Sequence, residues 1–377
     1  MSQQFIGAGG RIIPILALVL ALGSLRAVAQ EASGSPFSVG GYGELHANFV
    51  EGAGKDKFDI HRFVLYMGYE FADWIQLHSE TEIEHAFVND GHGEVAIEQL
   101  YLDFALSEPV SVRAGRVLTP IGIINQRHEP STFYGVERPQ VDTVIIPSTW
   151  SSDGIGVYGK LGENLSYEAY VVNGLDGSKF NALSGIRGGR MKEQPSLNQV
   201  AVTGRVDIRP LPSRDLRVGV SGYTGGANNG NRGTNPGVNA SLTVLSADAE
   251  YRVGPLDFRG VYAEDRVHGA AGLGNGTAAK MKGWYVEGGW HFLPESVKQG
   301  RLAEADAVLF TRYEKYDTQA EMPAGVAKNL AGDRRDLTVG LAFYPVANLV
   351  TKADYQLRKD AAGTESTLIN FGIGWMF

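Results

Sequence analysis

The 377-residue chain contains 49 glycines, 16 tyrosines and 16 phenylalanines but no cysteine, only 43% of it is hydrophobic, and its mean hydropathy is slightly negative. Without cysteine there is no disulfide framework, thiolate metal site, iron–sulfur cluster or cysteine nucleophile, and beyond the N-terminus no run approaches the ~20 apolar residues of a spanning helix. A formal charge of −8, from 42 acids against 34 bases, argues against nucleic acid as a partner, because no basic stripe is present to neutralise phosphates.

Arg11 precedes an apolar run, Ile12 to Leu22, followed by small residues and Ala27-Val28-Ala29, the form of a signal-peptidase site. Residues 1–29 are therefore expected to be a cleaved export signal, with a short segment 30–36 ahead of the first strand. Their loss removes Arg11 and Arg26 and leaves 32 bases against 42 acids, a formal −10 over 348 residues.

From Phe37 to Val50, Phe37, Val39, Leu45, Ala47 and Phe49 alternate with Ser38, Tyr42, Glu44, His46 and Asn48, which predicts a strand with one apolar and one wet face. The second segment, 59–71, repeats the pattern, as does the third, 75–87, where Gln76, His78, Glu80, Glu82 and Glu84 share the wet face. Further strands are predicted near 94–106, 110–118, 153–161, 165–173, 199–209, 215–223, 242–253, 255–266, 282–293, 303–313, 334–345, 348–358 and 365–377, sixteen in all. Connections after even-numbered strands are short, and several after odd-numbered strands are long, notably 119–152, 174–198, 224–241, 267–281 and 314–333. An even count of alternating strands with short turns at one end and long loops at the other predicts an all-β fold, a transmembrane antiparallel β-barrel with periplasmic turns and outer loops. Only a closed sheet satisfies its backbone in lipid, and only alternate residues then meet the lipid, which accounts for the low hydropathy. Phe71, Trp74, Phe87, Trp290, Phe292, Tyr344 and Trp375 are expected at the interfacial girdles.

Sixteen strands leave room for an aqueous channel, so the expected function is passive diffusion of small hydrophilic solutes or ions. On the lumen face the expected charge rows are Glu80, Glu82 and Glu84 on one wall, with Arg205, Arg209, Lys352 and Arg358 on others. The acidic row and the overall charge suggest a weak preference for cations. The long segment 119–152 mixes apolar and charged residues, as a packed loop would. The expected constriction residues are Arg127, Glu129, Glu137, Arg138 and Asp142 on it, with Arg113 and Arg116 on the strand before it. Enzyme signatures are lacking. Gly219-Val220-Ser221-Gly222 does not have the nucleophile-elbow spacing, and no second histidine follows His128-Glu129 at metalloprotease spacing. His78, Glu80, Glu82, Glu84 and His85 hint at a metal cluster, but strict alternation turns His85 to the opposite face, so neither metal nor cofactor is expected. The competing reading is a plugged barrel acting as structural anchor, adhesin or partner of a periplasmic system.

The run Gly115-Arg116-Val117-Leu118-Thr119-Pro120-Ile121-Gly122 resembles the G-R-x-x-x-P-x-G segment of the phosphate-selective porin O and P family, and the order around it is similar over about residues 94–175. The resemblance implies a homotrimeric sixteen-stranded barrel in the Gram-negative outer membrane, with loop 119–152 folded inward as it is in general porins. Val117 and Leu118 stand where the family tends to carry basic residues, so phosphate selectivity does not follow from it. The last strand places Thr367, Ile369, Phe371, Ile373, Trp375 and Phe377 on one face, and terminal Phe377 resembles the signature read by the barrel-assembly machinery. Lipid and that machinery are thus the expected partners.

Overall fold

The computed structural model describes residues 35–377 other than 53, 55, 90, 91, 212–214 and 229–238; the expected export signal and the centre of the loop after residue 226 lie outside the described residues. The compact unit Pro36–Met376 is a closed barrel of sixteen antiparallel strands. They are β1 Phe37–Val50, β2 Lys57–Ala72, β3 Ile75–Asn89, β4 His92–Phe104, β5 Ser111–Leu118, β6 Ser151–Lys160, β7 Leu165–Asn173 and β8 Val200–Ile208. The second half comprises β9 Asp215–Gly226, β10 Ser241–Val253, β11 Leu256–His268, β12 Lys280–His291, β13 Asp306–Glu321, β14 Asp333–Val346, β15 Leu349–Asp360 and β16 Glu365–Met376. β16 returns to β1 with Tyr42 opposite Met376 and Val50 opposite Leu368, and this closure pairs the two edges that lipid could not satisfy.

Burial is inverted relative to a soluble sheet protein, and this inversion decides between the two. Val39, Val202, Leu245 and Val286 are 52–62% exposed on the outside, whereas Glu80, Glu314 and Asn370 are at most 1% exposed inside. Apolar residues outward and polar residues inward is the arrangement of a sheet whose solvent is hydrocarbon. Phe71, Trp74, Trp290 and Phe292 lie exposed near the strand ends as expected of girdles. Tyr344 does not: it shares the inward face of Ala342 and donates from its hydroxyl to the Ser131 carbonyl at 3.4 Å.

Two connections are shorter than their sequence suggests. β13 continues to Glu321, because Arg312, Glu314 and Tyr316 keep pointing inward between Thr311, Tyr313 and Lys315; the loop after it is thus 322–332. β11 and β12 likewise extend to His268 and Lys280, with a single helical turn between them.

The lumen is not empty. Residues 119–150 enter it, carrying one helical turn, α1 Val141–Val144. Ile121, Ile124, Val141, Ile145, Ile146 and Trp150 bury themselves against Tyr170, Tyr223, Val244, Val261, Met281 and Tyr285 of β7 to β12. Glycine lets the wall accept the loop elsewhere: a Cβ at Gly374 of β16 would stand 2.4 Å from Pro130, and one at Gly283 of β12 3.0 Å from Ile145.

Candidate pore and its inward loop

The base of the loop is clasped by one side chain. Asn125 donates to the carbonyls of Thr119 and Trp150 at 2.7 and 3.0 Å and accepts from the Trp150 amide at 2.8 Å. Beyond it the loop is tied to the wall nearly all the way round. Arg205 of β8 donates to the Gly122 carbonyl at 2.9 Å, Gln126 to Glu168 of β7 at 2.9 Å, and Arg127 to Glu250 of β10 at 2.7 Å. Arg259 of β11 donates to the Thr132 carbonyl at 2.9 Å and Lys352 of β15 to that of Gly135 at 2.8 Å, while its ammonium sits 3.8 Å above the Phe133 ring. The amides of Val136 and Val141 donate to Asp354 of β15 and Glu314 of β13 at 2.6 and 3.1 Å. Buried backbone groups with no helix or ladder of their own are thus satisfied by the wall's inward charges.

His128 is the most deeply set of these ties. Its Nδ1–H donates to the Asn125 carbonyl at 3.0 Å, and its Nε2 lies 3.2 Å from Glu80 of β3 and 3.4 Å from Glu98 of β4. Both ring nitrogens therefore face acceptors, which requires the imidazolium form. Burial works against that charge, but Glu80 and Glu98 outweigh it and push the His128 pKa up to about 10. Asp142 on α1 is the opposite case: buried beside Tyr285 and with no cation at ion-pair distance among the described residues, its carboxyl is pushed up to about 8 by burial and is neutral at physiological pH.

Most expected pore residues meet in the lumen. Arg113 forks onto Asp103 at 2.7 and 2.9 Å between the Tyr101 and Tyr158 rings. Glu129 accepts from Tyr66, Glu137 accepts from Asn48, and Arg138 donates to the His128 carbonyl at 2.8 Å. Glu82 pairs with Arg62 at 3.0 Å, and Arg358 approaches Asp336 at 3.8 Å. Three expectations need correction. Arg116 faces outward with Leu100 and Ile155 and forks onto Asp153 at 2.6 and 3.0 Å, since an odd spacing from Arg113 places it on the other face. Arg209 lies one residue beyond β8 and is exposed at the short-turn end, so it joins no lumen row. His85 does not turn outward: it and Ala86 adopt left-handed backbone with φ of 58° and 55°, and its Nδ1 reaches Asp59 at 2.8 Å.

Other lumen residues were not among those expected. Arg312 of β13, 2% exposed, joins Glu287 at 3.2 Å and Glu314 at 2.8 Å, and the alternation of β13 was the signal for it. Arg187 and Arg190, from the segment between β7 and β8, donate to the carbonyls of Ser148 and Thr149 at the end of the inward loop. Among the described residues neither has a carboxylate within ion-pair distance. Burial and the neighbouring Arg190 lower the Arg187 pKa to about 9, which leaves it charged. Glu84 of β3 and Glu94 of β4, opposite each other in register, act electrostatically on this pair, and Glu94 is itself ion-paired with Lys192 of the same segment. On the short-turn side of the loop the lumen keeps an open cleft of about 630 Å³ lined by Arg113, Gln126, Tyr158, Glu168 and Arg205.

A closed barrel with an apolar exterior, a charged lumen and a loop tied across that lumen is a channel architecture. Solved structures share the fold. An anion-selective porin from Comamonas acidovorans is 12% identical with a TM-score of 0.60, over 90% of this chain and 99% of that one. The trimer form of OmpT, an outer membrane protein of Vibrio cholerae, is 11% identical with a TM-score of 0.57, over 90% and 99%. An uncharacterized protein of Aquifex aeolicus (strain VF5) is 34% identical over 357 residues, 90% of this chain and 80% of that protein. The profile of the phosphate-selective porin O and P family matches residues 40–367. The chain belongs to that family and is an outer-membrane porin.

Proposed function

We propose that this porin passes small anions through a pore narrowed by loop 119–150, and that transport rather than catalysis is its role. The observation that carries the reading is the basic pair Arg187 and Arg190, which has no ion-pair partner among the described residues, while neighbouring Glu94 is taken up by Lys192. The acidic row that suggested cation preference is largely compensated, since Glu80 is held by His128 and Glu82 by Arg62. A field across the opening with its uncompensated side positive favours anions. In planar bilayers under a salt gradient, the reversal potential is expected to indicate chloride preference, and the double variant Arg187→Gln/Arg190→Gln to move it towards the cation side. A potassium-preferring wild type, or a variant with unchanged reversal potential, would refute the basic edge as the filter. Well-folded barrels that show no discrete conductance steps would instead favour the plugged-anchor reading.

The same reading includes export by cleavage of residues 1–29, assembly through terminal Phe377 and a homotrimer. A trimer is supported by the Arg116–Asp153 pair, because two ionised groups on the outer face of a spanning sheet are costly against lipid and acceptable against another subunit. β5 to β8, of 8 to 10 residues, are the shortest strands and form a low wall there. Replacing both residues by leucine is expected to weaken the trimer on unheated gels while leaving heat-modifiable monomer mobility intact. An undiminished trimer band would place the interface elsewhere.

A further inference from the structure

At the long-loop end of the lumen, three side chains that strict alternation from Arg62 and Glu84 would turn to the outer face are instead gathered inside on one carboxylate. Asp59 and His61 lie on β2 and His85 on β3. Asp59 Oδ2 is 3.1 Å from His61 Nδ1 and 2.8 Å from His85 Nδ1, and the three atoms all lie within 4.8 Å of one another. Two independent irregularities produce this. The β1–β2 register passes from Glu44 opposite Arg62 to Leu45 opposite Ile60, so His61 is the extra residue of a bulge. On β3, pairing with β4 lapses between Glu84 and Asn89, and the left-handed backbone at His85 and Ala86 swings His85 inward. Bulges re-aim side chains, and non-glycine residues in that conformation are strained; here both distortions deliver an imidazole to the same oxygen.

We propose that Asp59, His61 and His85 form a binding site for a first-row divalent metal ion of the zinc, nickel or cobalt class at the outer mouth of the pore. Two imidazoles and a carboxylate are borderline-soft donors suited to these ions rather than to calcium or magnesium. Donors ~2.1 Å from a tetrahedral zinc stand ~3.4 Å apart, so the Asp59 oxygen needs to move off His61 by about 0.3 Å and off His85 by about 0.6 Å. The fourth position opens to the lumen, since His85 is 43% exposed. The His61 ring is stacked on His46 at 4.3 Å, which fixes its plane. Without metal, Arg62 Nη2 donates to His61 Nε2 at 2.9 Å, so the proton sits on Nδ1 and points at Asp59. Ligation through Nδ1 moves that proton to Nε2, and Arg62 then turns to Glu84, whose Oε1 lies 4.0 Å from the same nitrogen. Lys57, 3.9 Å from Asp59 and half exposed, is free to leave.

The test uses the untagged barrel in detergent, titrated with Co²⁺, whose d–d absorption reports low-symmetry nitrogen–oxygen coordination independently of conduction. One Co²⁺ per chain is expected to give visible bands that Zn²⁺ abolishes. Affinity is expected to fall at least about tenfold in His85→Ala, a surface change that should not disturb folding, and in Asp59→Asn. Absence of d–d bands in wild-type barrel that retains its heat-modifiable mobility would overturn the site. So would Co²⁺ binding that both variants leave unchanged, since the ion would then reside elsewhere, for instance at Glu80, Glu98 and His128.

Discussion

Excising residues 123–147 and bridging the gap with a short glycine-serine linker is expected to raise single-channel conductance several-fold and to erase most charge selectivity. The strands alone enclose a lumen wide enough for water, and the loop occupies it through ties to β3, β4, β7, β8, β10, β11, β13 and β15. The same result has a graded form in the intact protein. With the His128 pKa raised to about 10 against an unfolded value near 6.5, its ionic tie is fully present below about pH 6.5 and is lost as pH rises through 10. Open-channel noise is therefore expected to grow on the alkaline side in wild type and at neutral pH in His128→Ala. An excised barrel that keeps its heat-modifiable mobility and conducts no more than wild type would show that the loop does not limit the pore.

Arg312→Ala is expected to be the most damaging single substitution of the lumen wall, at about 3–5 kcal/mol. The guanidinium is fully enclosed, holds Glu287 and Glu314, and reaches the Glu137 carbonyl at 3.4 Å. Its removal leaves Glu314 without a cation partner among the described residues and Glu287 with Arg259 alone, at 3.3 Å, where water has little access, and Glu314 is also the acceptor for the Val141 amide at the start of α1. One deletion therefore strikes both the wall and the loop. Arg312→Lys keeps the charge but loses the fork, and a smaller loss is expected. The readout is the temperature at which the barrel converts to the slow-migrating form on gels; a fall corresponding to less than 1 kcal/mol would mean that water or movement of the loop compensates the acids.

Much of this was legible in the residues. The sixteen strands follow from period-two alternation, and apart from the end of β13 their ends fall within a few residues of the expected ones, because a one-residue slip would put Glu80 or Arg205 into lipid. The outward position of Arg116 was legible too, since three residues separate it from Arg113, and reading the Gly-Arg segment as a pore motif obscured that. The alternation through Arg312, Glu314 and Tyr316 likewise carries β13 past residue 313.

By itself, then, the sequence determined the all-β class, the closed barrel and the polarity of its two faces, because lipid on one side and water on the other impose a pattern on every strand separately. Only the tertiary structure decided what fills and guards the lumen. The wall's acids and bases find their partners on a loop many residues away, so the compensation of Glu80 by His128, or the lack of an ion-pair partner for Arg187 and Arg190 among the described residues, is written in no local pattern. The turning of His85 onto Asp59 depends on two left-handed residues whose types do not announce that conformation. Alternation is a local property of the chain, whereas the electrostatics of an opening depends on which distant groups share it.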